Sequence, residues 1–275
     1  MRNRVGSAIY HIFVMAFGVL MLYPILWMIA SSLKPESEIF TNVTSLIPSM
    51  LNWKNYVDGW LAGFDVYFKN SLIITISVVI GALFSSSLVA YGFARINFKF
   101  KSVLFACLLI TVMLPMQITL VPQYILFQKL GWVNTFLPLI VPAYVGGIPF
   151  FIFLMIQFIR SIPRELDEAA VIDGCSSFGI FWRVILPLCK PALSTVAIFA
   201  FMWTWDDFFA QLIYLNDSSL FTVSLGLNMF SDPDTMTDWG PLLAMSTLSL
   251  VPQLILFMIF QNELTEGIAT SGLKG

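Results

Sequence analysis

Asp206 and Asp207 stand side by side in an otherwise charge-free stretch from Ala192 to Ile213, directly after Trp203 and Trp205. Carboxylates accept hydrogen bonds from hydroxyl groups, and the broad apolar face of an indole packs on flat apolar surfaces such as a sugar ring. Together these residue types can hold a polyhydroxylated solute, and Gln117, inside a second apolar run, adds a polar group to the set. A different set of carboxylates, Glu165, Asp167, Glu168 and Asp173, lies in the polar-to-amphipathic segment Arg160–Lys190. Other chemistries are absent from the chain. His11 is its single histidine and no His/Asp/Glu cluster falls inside an apolar run, so neither catalytic residues nor a metal site is expected. Cys107, Cys175 and Cys189 are an odd number with no paired spacing, which reads as three reduced thiols. There is no G-x-x-x-x-G-K-[ST] phosphate loop, so the chain itself is expected to bind no ATP.

These groups must be positioned by a bilayer-embedded scaffold. The 275 residues are 58% hydrophobic and 11% charged, against about a quarter charged in soluble domains, which predicts a polytopic membrane protein. A net charge of −2 gives no reason to expect nucleic acid. A helix needs about 20 apolar residues to cross the hydrocarbon core. Such windows predict an all-α protein with six transmembrane helices, at about 9–30, 70–92, 102–122, 136–159, 192–213 and 241–261 in a single domain spanning 1–275. The basic N-terminus precedes an apolar run too long for a signal peptide, so it reads as a retained first span.

Orientation follows from the basic residues. With the N-terminus inside, Arg2, Arg4, Arg95, Lys99, Lys101, Arg160, Arg164, Arg183, Lys190 and Lys274 are cytoplasmic. Only Lys34, Lys54, Lys69 and Lys129 lie outside, as the positive-inside rule requires. Both termini and the 160–190 segment are thus expected in the cytoplasm. The last outer loop, about 214–240, carries Asp217, Asp232, Asp234 and Asp238 and no basic residue.

Three features remain open to two readings each. Pro138, Pro142, Gly146, Gly147 and Pro149 make the fourth span either a tolerated kink or an unwound element beside a pathway. Ser85, Ser86, Ser87, Ala90, Gly92 and Ala94 form a small-residue stripe that serves close helix packing first, with a direct role as the second reading. Asp206 lies about 21 Å along its span at 1.5 Å per residue, near the outer face. It and Asp207 either snorkel at the interface or line an outer pathway.

The 160–190 segment reads as a platform of two short helices. Pro163 suits a first turn, the following acids complement the helix dipole, and Gly174 is a natural stop. Ser176 or Ser177 caps a second helix that Pro187 ends or kinks. Ala169 and Ala170 are expected at the exposed end, where they admit a partner surface, with Glu168 and Asp173 offering carboxylates to it.

The order Glu168-Ala169-Ala170, Asp173-Gly174, Leu186-Pro187 with Pro191 resembles the EAA signature of bacterial ABC importer permeases. Phe68, Asn70 and Ser71, then Gly131, Trp132, Asn134 and Thr135, then Trp205–Leu212 and the Gly267–Gly275 ending are similar to the shorter six-span subunit of the carbohydrate-type, maltose-permease-like group. Asp206-Asp207 departs from the Trp-Asn-Glu or Trp-Asn-Asp common there. The resemblance implies that Glu168–Gly174 is a coupling helix seated in a separate ATPase subunit, which binds the ATP and Mg. It implies a second permease subunit, two ATP-binding subunits and an extracellular or periplasmic substrate-binding protein as partners, in a bacterial cell (inner) membrane. The cargo it implies is a sugar or oligosaccharide. The competing reading is an ion-coupled secondary transporter or channel acting alone, but such carriers keep several ionisable groups near the midplane, and here only the displaced aspartate pair is present.

Overall fold

The computed structural model describes the backbone of residues 4–230 and 237–272, and side chains for 6–7, 10–115, 117–230 and 237–261. Arg2, Asp232, Asp234, Lys274 and the last three residues of the C-terminal motif fall outside it. Among the described residues the chain is all helix, because only hydrogen bonding within a segment satisfies backbone groups in lipid without a closed barrel. Among the described residues four helical stretches are long and apolar enough to cross a membrane, and the number is six where each of two bent helix pairs counts as one span.

The chain forms two compact units. The first comprises Met1–Asp65 and Gly226–Val251. Its first helix, α1 (Arg4–Ser32), is exposed along most of its apolar length, as a lipid-facing helix is. The loop after it is stapled by polar side chains. Lys34 is fully buried and its Nζ donates to the carbonyls of Asn42 (3.0 Å) and Ser45 (2.7 Å). Short helices α2 (Glu36–Ile39) and α3 (Lys54–Gly59) follow, the latter running into a π turn at Trp60–Phe64. Glu36 accepts the amides of Trp239 (3.1 Å) and Gly240 (2.9 Å), where α15 (Trp239–Gly272) begins.

The second unit, Val66–Leu225 with Pro252–Gly275, holds every residue singled out above for function. It contains most of α4 (Asp65–Arg95), then α5 (Lys101–Met113) and α6 (Met116–Lys129). The third span, expected as one stretch over 102–122, is broken instead: α5 and α6 meet at 104° across Leu114–Pro115. Proline lacks an amide and disfavours the helical conformation of the residue before it, and Leu114 is extended (φ −73°, ψ 123°). The fourth span is α7 (Leu137–Val145) and α8 (Pro149–Ser161), interrupted at 146–148. Gly147 there has φ +64°, and a Cβ on it would lie 2.9 Å from Ile152 Cδ1 and 3.1 Å from Ser85 Oγ, so only glycine fits without displacement.

The small-residue stripe of α4 supports that break. Ser85 Oγ donates to the Ala143 carbonyl (2.6 Å), while Ser87 bonds back to its own helix at Leu83. The unit's core gathers Ala82, Ala90 and Tyr91 of α4, Phe151, Met155, Ile156 and Ile159 of α8, and Phe181 and Ile185 beyond α8. It continues into Ala192, Val196 and Ala200 of α12 (Lys190–Trp205).

Candidate functional site

The 160–190 segment folds as α9 (Glu165–Ile172), then α10 (Ser177–Ile180), a π turn at Phe181–Ile185 and α11 (Leu186–Leu188). Helix α9 stops in a Schellman motif. The Cys175 amide donates to the Ala170 carbonyl (2.9 Å) and the Gly174 amide to that of Val171 (3.0 Å), with Gly174 at φ +81°. Ser176 caps α10, its Oγ accepting the Gly179 amide (3.2 Å). The chain then bends by 76° into α12 around the buried Cys189. Burial pushes the Cys189 thiol pKa up to about 12, only partly offset by the Arg95 charge.

Two groups of α4 fasten this segment. Arg95 Nε meets Asp167 Oδ2 at 2.8 Å, the two side chains being 6% and 19% exposed, and its Nη2 donates to the Ile162 carbonyl (2.8 Å). Tyr91 packs on Phe181 (5.2 Å between centroids) and donates its hydroxyl to the Ser177 carbonyl (2.9 Å). Both helices of the platform are therefore braced against the end of one long helix.

Glu168, Ala169, Asp173, Gly174 and Pro187 are exposed, and Leu186 is half-buried. Ala170 differs from expectation: it is 7% exposed and packs into the core, because α9 needs a small residue where it rests on the rest of the unit. The outward alanine is Ala169. Beside it Val171 and Ile172 (86% exposed) project, with Phe178 and Trp182 exposed on the following turns. Reading the segment for its charges misses this apolar face, although four large hydrophobic residues in a polar stretch are its signal. The Arg95–Asp167 pair has no such signal, since no spacing rule links residues that far apart.

At the other end of α12 the helix stops at Trp205, with Asp206 as its C-cap, and resumes as α13 (Phe209–Tyr214). A fifth span running unbroken to 213 is thus not what forms. Side chains take over the backbone groups at the gap: Asp207 Oδ1 accepts the Ala210 amide (3.1 Å) and Gln211 Nε2 donates to the Thr204 carbonyl (3.1 Å). Gln211 is buried and its Oε1 accepts the hydroxyl of Thr222. Asp206 Oδ1 accepts from Gln253 Nε2 at 2.6 Å.

A cavity of about 950 Å³ opens beside this gap, lined by Trp203, Asp206, Asp207 and Gln211, by Gln123 of α6, and by Gly147 at the α7–α8 break. Trp203 is 48% exposed and stacked on Phe151 (5.1 Å, 17°). Two of the proposed pathway residues lie elsewhere. Trp205 is 2% exposed, stacked on Phe201 and edge-on to Phe68, and Gln117 does not line the cavity. Gln123, in the same charge-free window, takes Gln117's place; which of the two faces inward depends on the direction α6 takes after its bend.

The flanking motifs hold this region in shape. Asn70 Nδ2 donates to the carbonyls of Ser219 and Phe221 (2.9 Å each), and Ser71 Oγ accepts the Val223 amide (2.9 Å) where α14 (Val223–Phe230) starts. Asn134, at φ +63°, donates its amide to the Tyr214 carbonyl (2.8 Å) and accepts those of Asn216 and Asp217 (3.0 Å each).

Residues 82–268 match the model of the binding-protein-dependent transport system inner membrane component family. The chain belongs to that family. Membership makes this permease a non-catalytic membrane subunit of a transporter. It is 39% identical over 98% of its length, and 90% of the relative's, to a probable ABC transporter permease, YurM, of Bacillus subtilis. It is 36% identical to the arabinooligosaccharides transport system permease AraQ of Halalkalibacterium halodurans (92% of the chain, 91% of the relative). The trehalose/maltose transport system permease MalG of Thermococcus litoralis is 32% identical (94% and 93%). Among solved structures, a chain of a bacterial ABC transporter involved in import of the acidic polysaccharide alginate shares the fold. The TM-score is 0.84 at 19% identity, over 95% of this permease and 98% of that chain.

Proposed function

We propose that this permease is one of two membrane subunits of an ATP-driven importer for a sugar or oligosaccharide, coupled through α9 to an ATPase subunit. The observation that carries the reading is the platform: Glu168, Ala169, Val171 and Ile172 exposed on a helix whose root, Ala170, and whose anchor, Arg95–Asp167, are buried. An exposed apolar face rimmed by charge marks a docking surface, and a helix fixed at its root transmits displacement instead of absorbing it. ATP and Mg belong to the two ATPase subunits. The substrate-binding protein docks outside, and both termini face the cytoplasm, as the basic residues require. The relatives that name a cargo name sugars, and the 950 Å³ cavity offers an exposed indole face beside two carboxylates and Gln123, a set that suits ring stacking and hydroxyl recognition.

The test is transport in vesicles holding the assembled complex. Glu168→Lys and Gly174→Trp are expected to abolish uptake and uncouple ATP hydrolysis while the chain still inserts. Uptake at the wild-type rate in either variant refutes the coupling assignment. Asp206→Asn with Asp207→Asn is expected to lower uptake with coupling intact, and normal uptake removes these residues from the pathway.

A further inference from the structure

A second cavity, of about 610 Å³, lies where α4 and α8 end, α5 begins and the chain turns toward α9; Arg95, Lys101, Arg160, Arg164 and Glu165 line it. Arg95 is matched by Asp167. That leaves three cations, Lys101, Arg160 and Arg164, against the single carboxylate Glu165. Crowding cations around a concave surface is unfavourable unless an anion occupies it. Two of the three cations are also held in place. Lys101 Nζ donates to the Ile96 carbonyl (2.8 Å), which leaves two of its three donors for a ligand. The Arg160 guanidinium carbon sits 5.1 Å from the centroid of the Phe105 ring, a cation–π contact that needs none of its N–H donors as hydrogen-bond partners.

Around the cavity the aromatic residues say where it sits. Phe93 packs on Phe98 (5.6 Å) and Phe105 (6.1 Å), and Phe98-Lys99-Phe100-Lys101 alternates ring and ammonium, with Phe100 76% exposed. Rings in the acyl boundary with ammonium groups at headgroup height are the pattern of a membrane–water interface. A phosphate at that height is a lipid phosphate. Basic pockets between transmembrane helices on this side of a bilayer are suited to anionic headgroups.

We propose that the pocket formed by Lys101, Arg160 and Arg164 binds the phosphate of an anionic phospholipid. The site adjoins Pro163 and Glu165, so its occupant sits against the start of α9. The inference rests on the membrane placement of the chain and not on its cargo, so it stands or falls separately from the sugar reading.

The assembled transporter is placed in phosphatidylcholine nanodiscs, phosphatidylglycerol is titrated in, and retained lipid is measured by native mass spectrometry. The wild type is expected to retain phosphatidylglycerol over phosphatidylcholine. Each basic residue near the surface contributes about fivefold, so Lys101→Gln should weaken retention about fivefold and Arg160→Gln with Arg164→Gln about thirtyfold. Equal retention by the wild type and the double variant overturns the proposal. Displacement of the lipid by millimolar inorganic phosphate overturns it in favour of a soluble anion. Loss of the ATPase subunits from the double variant in pure phosphatidylcholine overturns it in favour of a protein contact.

Discussion

Replacing Arg95 by methionine should release α9 from the body of its unit, and the size of the effect follows from burial. The guanidinium is 6% exposed, forms an ion pair with Asp167 (Nε to Oδ2 2.8 Å) and donates through Nη2 to the Ile162 carbonyl (2.8 Å). Removing one member of a buried ion pair costs about 3–5 kcal/mol. Asp167 is 19% exposed, so the lower end, about 3 kcal/mol, applies. The Ile162 carbonyl, on a buried residue, adds about 1 kcal/mol for its lost donor. Replacing both charges, Arg95→Met with Asp167→Leu, removes the stranded carboxylate and should recover about 3 kcal/mol, since an apolar pair is often as stable as a buried ionic one. About 1 kcal/mol of loss then persists at Ile162. Hydrogen exchange at the Gly174 and Cys175 amides, which close the Schellman motif, reports opening of α9 directly. The single variant should exchange more than about a hundredfold faster and the double variant within about tenfold of wild type. A single variant slowed or unchanged, or a double variant no better than the single, would show that the pair does not hold the platform.

The break at Gly147 should be intolerant of any side chain: Gly147→Ala costs about 1–2 kcal/mol for the left-handed backbone alone, before displacing Ile152 and Ser85. Gly146→Ala, at φ −108° with its nearest neighbour 3.7 Å away, is the near-neutral control in thermal unfolding in detergent. Asn134→Ala removes the acceptor of the Asn216 and Asp217 amides and strains a φ of +63°, so exchange at those amides should rise by about 2 kcal/mol of opening. Cys189, with its thiol pushed up to about 12 from 9.0, should resist a membrane-permeant maleimide at pH 8 while the more accessible Cys175 reacts. Because the folded thiol holds its proton more tightly than the unfolded one, this group stabilises the fold below pH 9, and that contribution is lost as the pH rises from 9 toward 12. Cys189→Ser should flatten that part of the stability profile.

How much was legible beforehand differs between the two ends of α12. At the platform end, the Gly174 stop is a consequence of backbone chemistry acting within a few residues and forms where the sequence places it; the cap falls on Ser176, one of the two serines the sequence offers, and α9 begins at Glu165, two residues past the proline expected in its first turn. Ala169 and Ala170 are adjacent and chemically identical, yet one is exposed and one buried; only the surface beneath α9 distinguishes them. At the cavity end, the type of chemistry was readable from Asp206, Asp207 and Trp203, but Trp205 turns into the core and Gln123 replaces Gln117 at the lining.

The amino-acid order alone determined that this chain is a bundle of membrane helices with a polar platform, because hydropathy, charge bias and helix-terminating residues are summed along the chain and need no partner. The tertiary structure decided where the third, fourth and fifth spans break and which side chains stitch each gap. It also decided which member of each polar or alanine pair faces outward. Those outcomes turn on bonds such as Ser85 to Ala143 and Arg95 to Asp167, between groups that meet only once separate helices have packed.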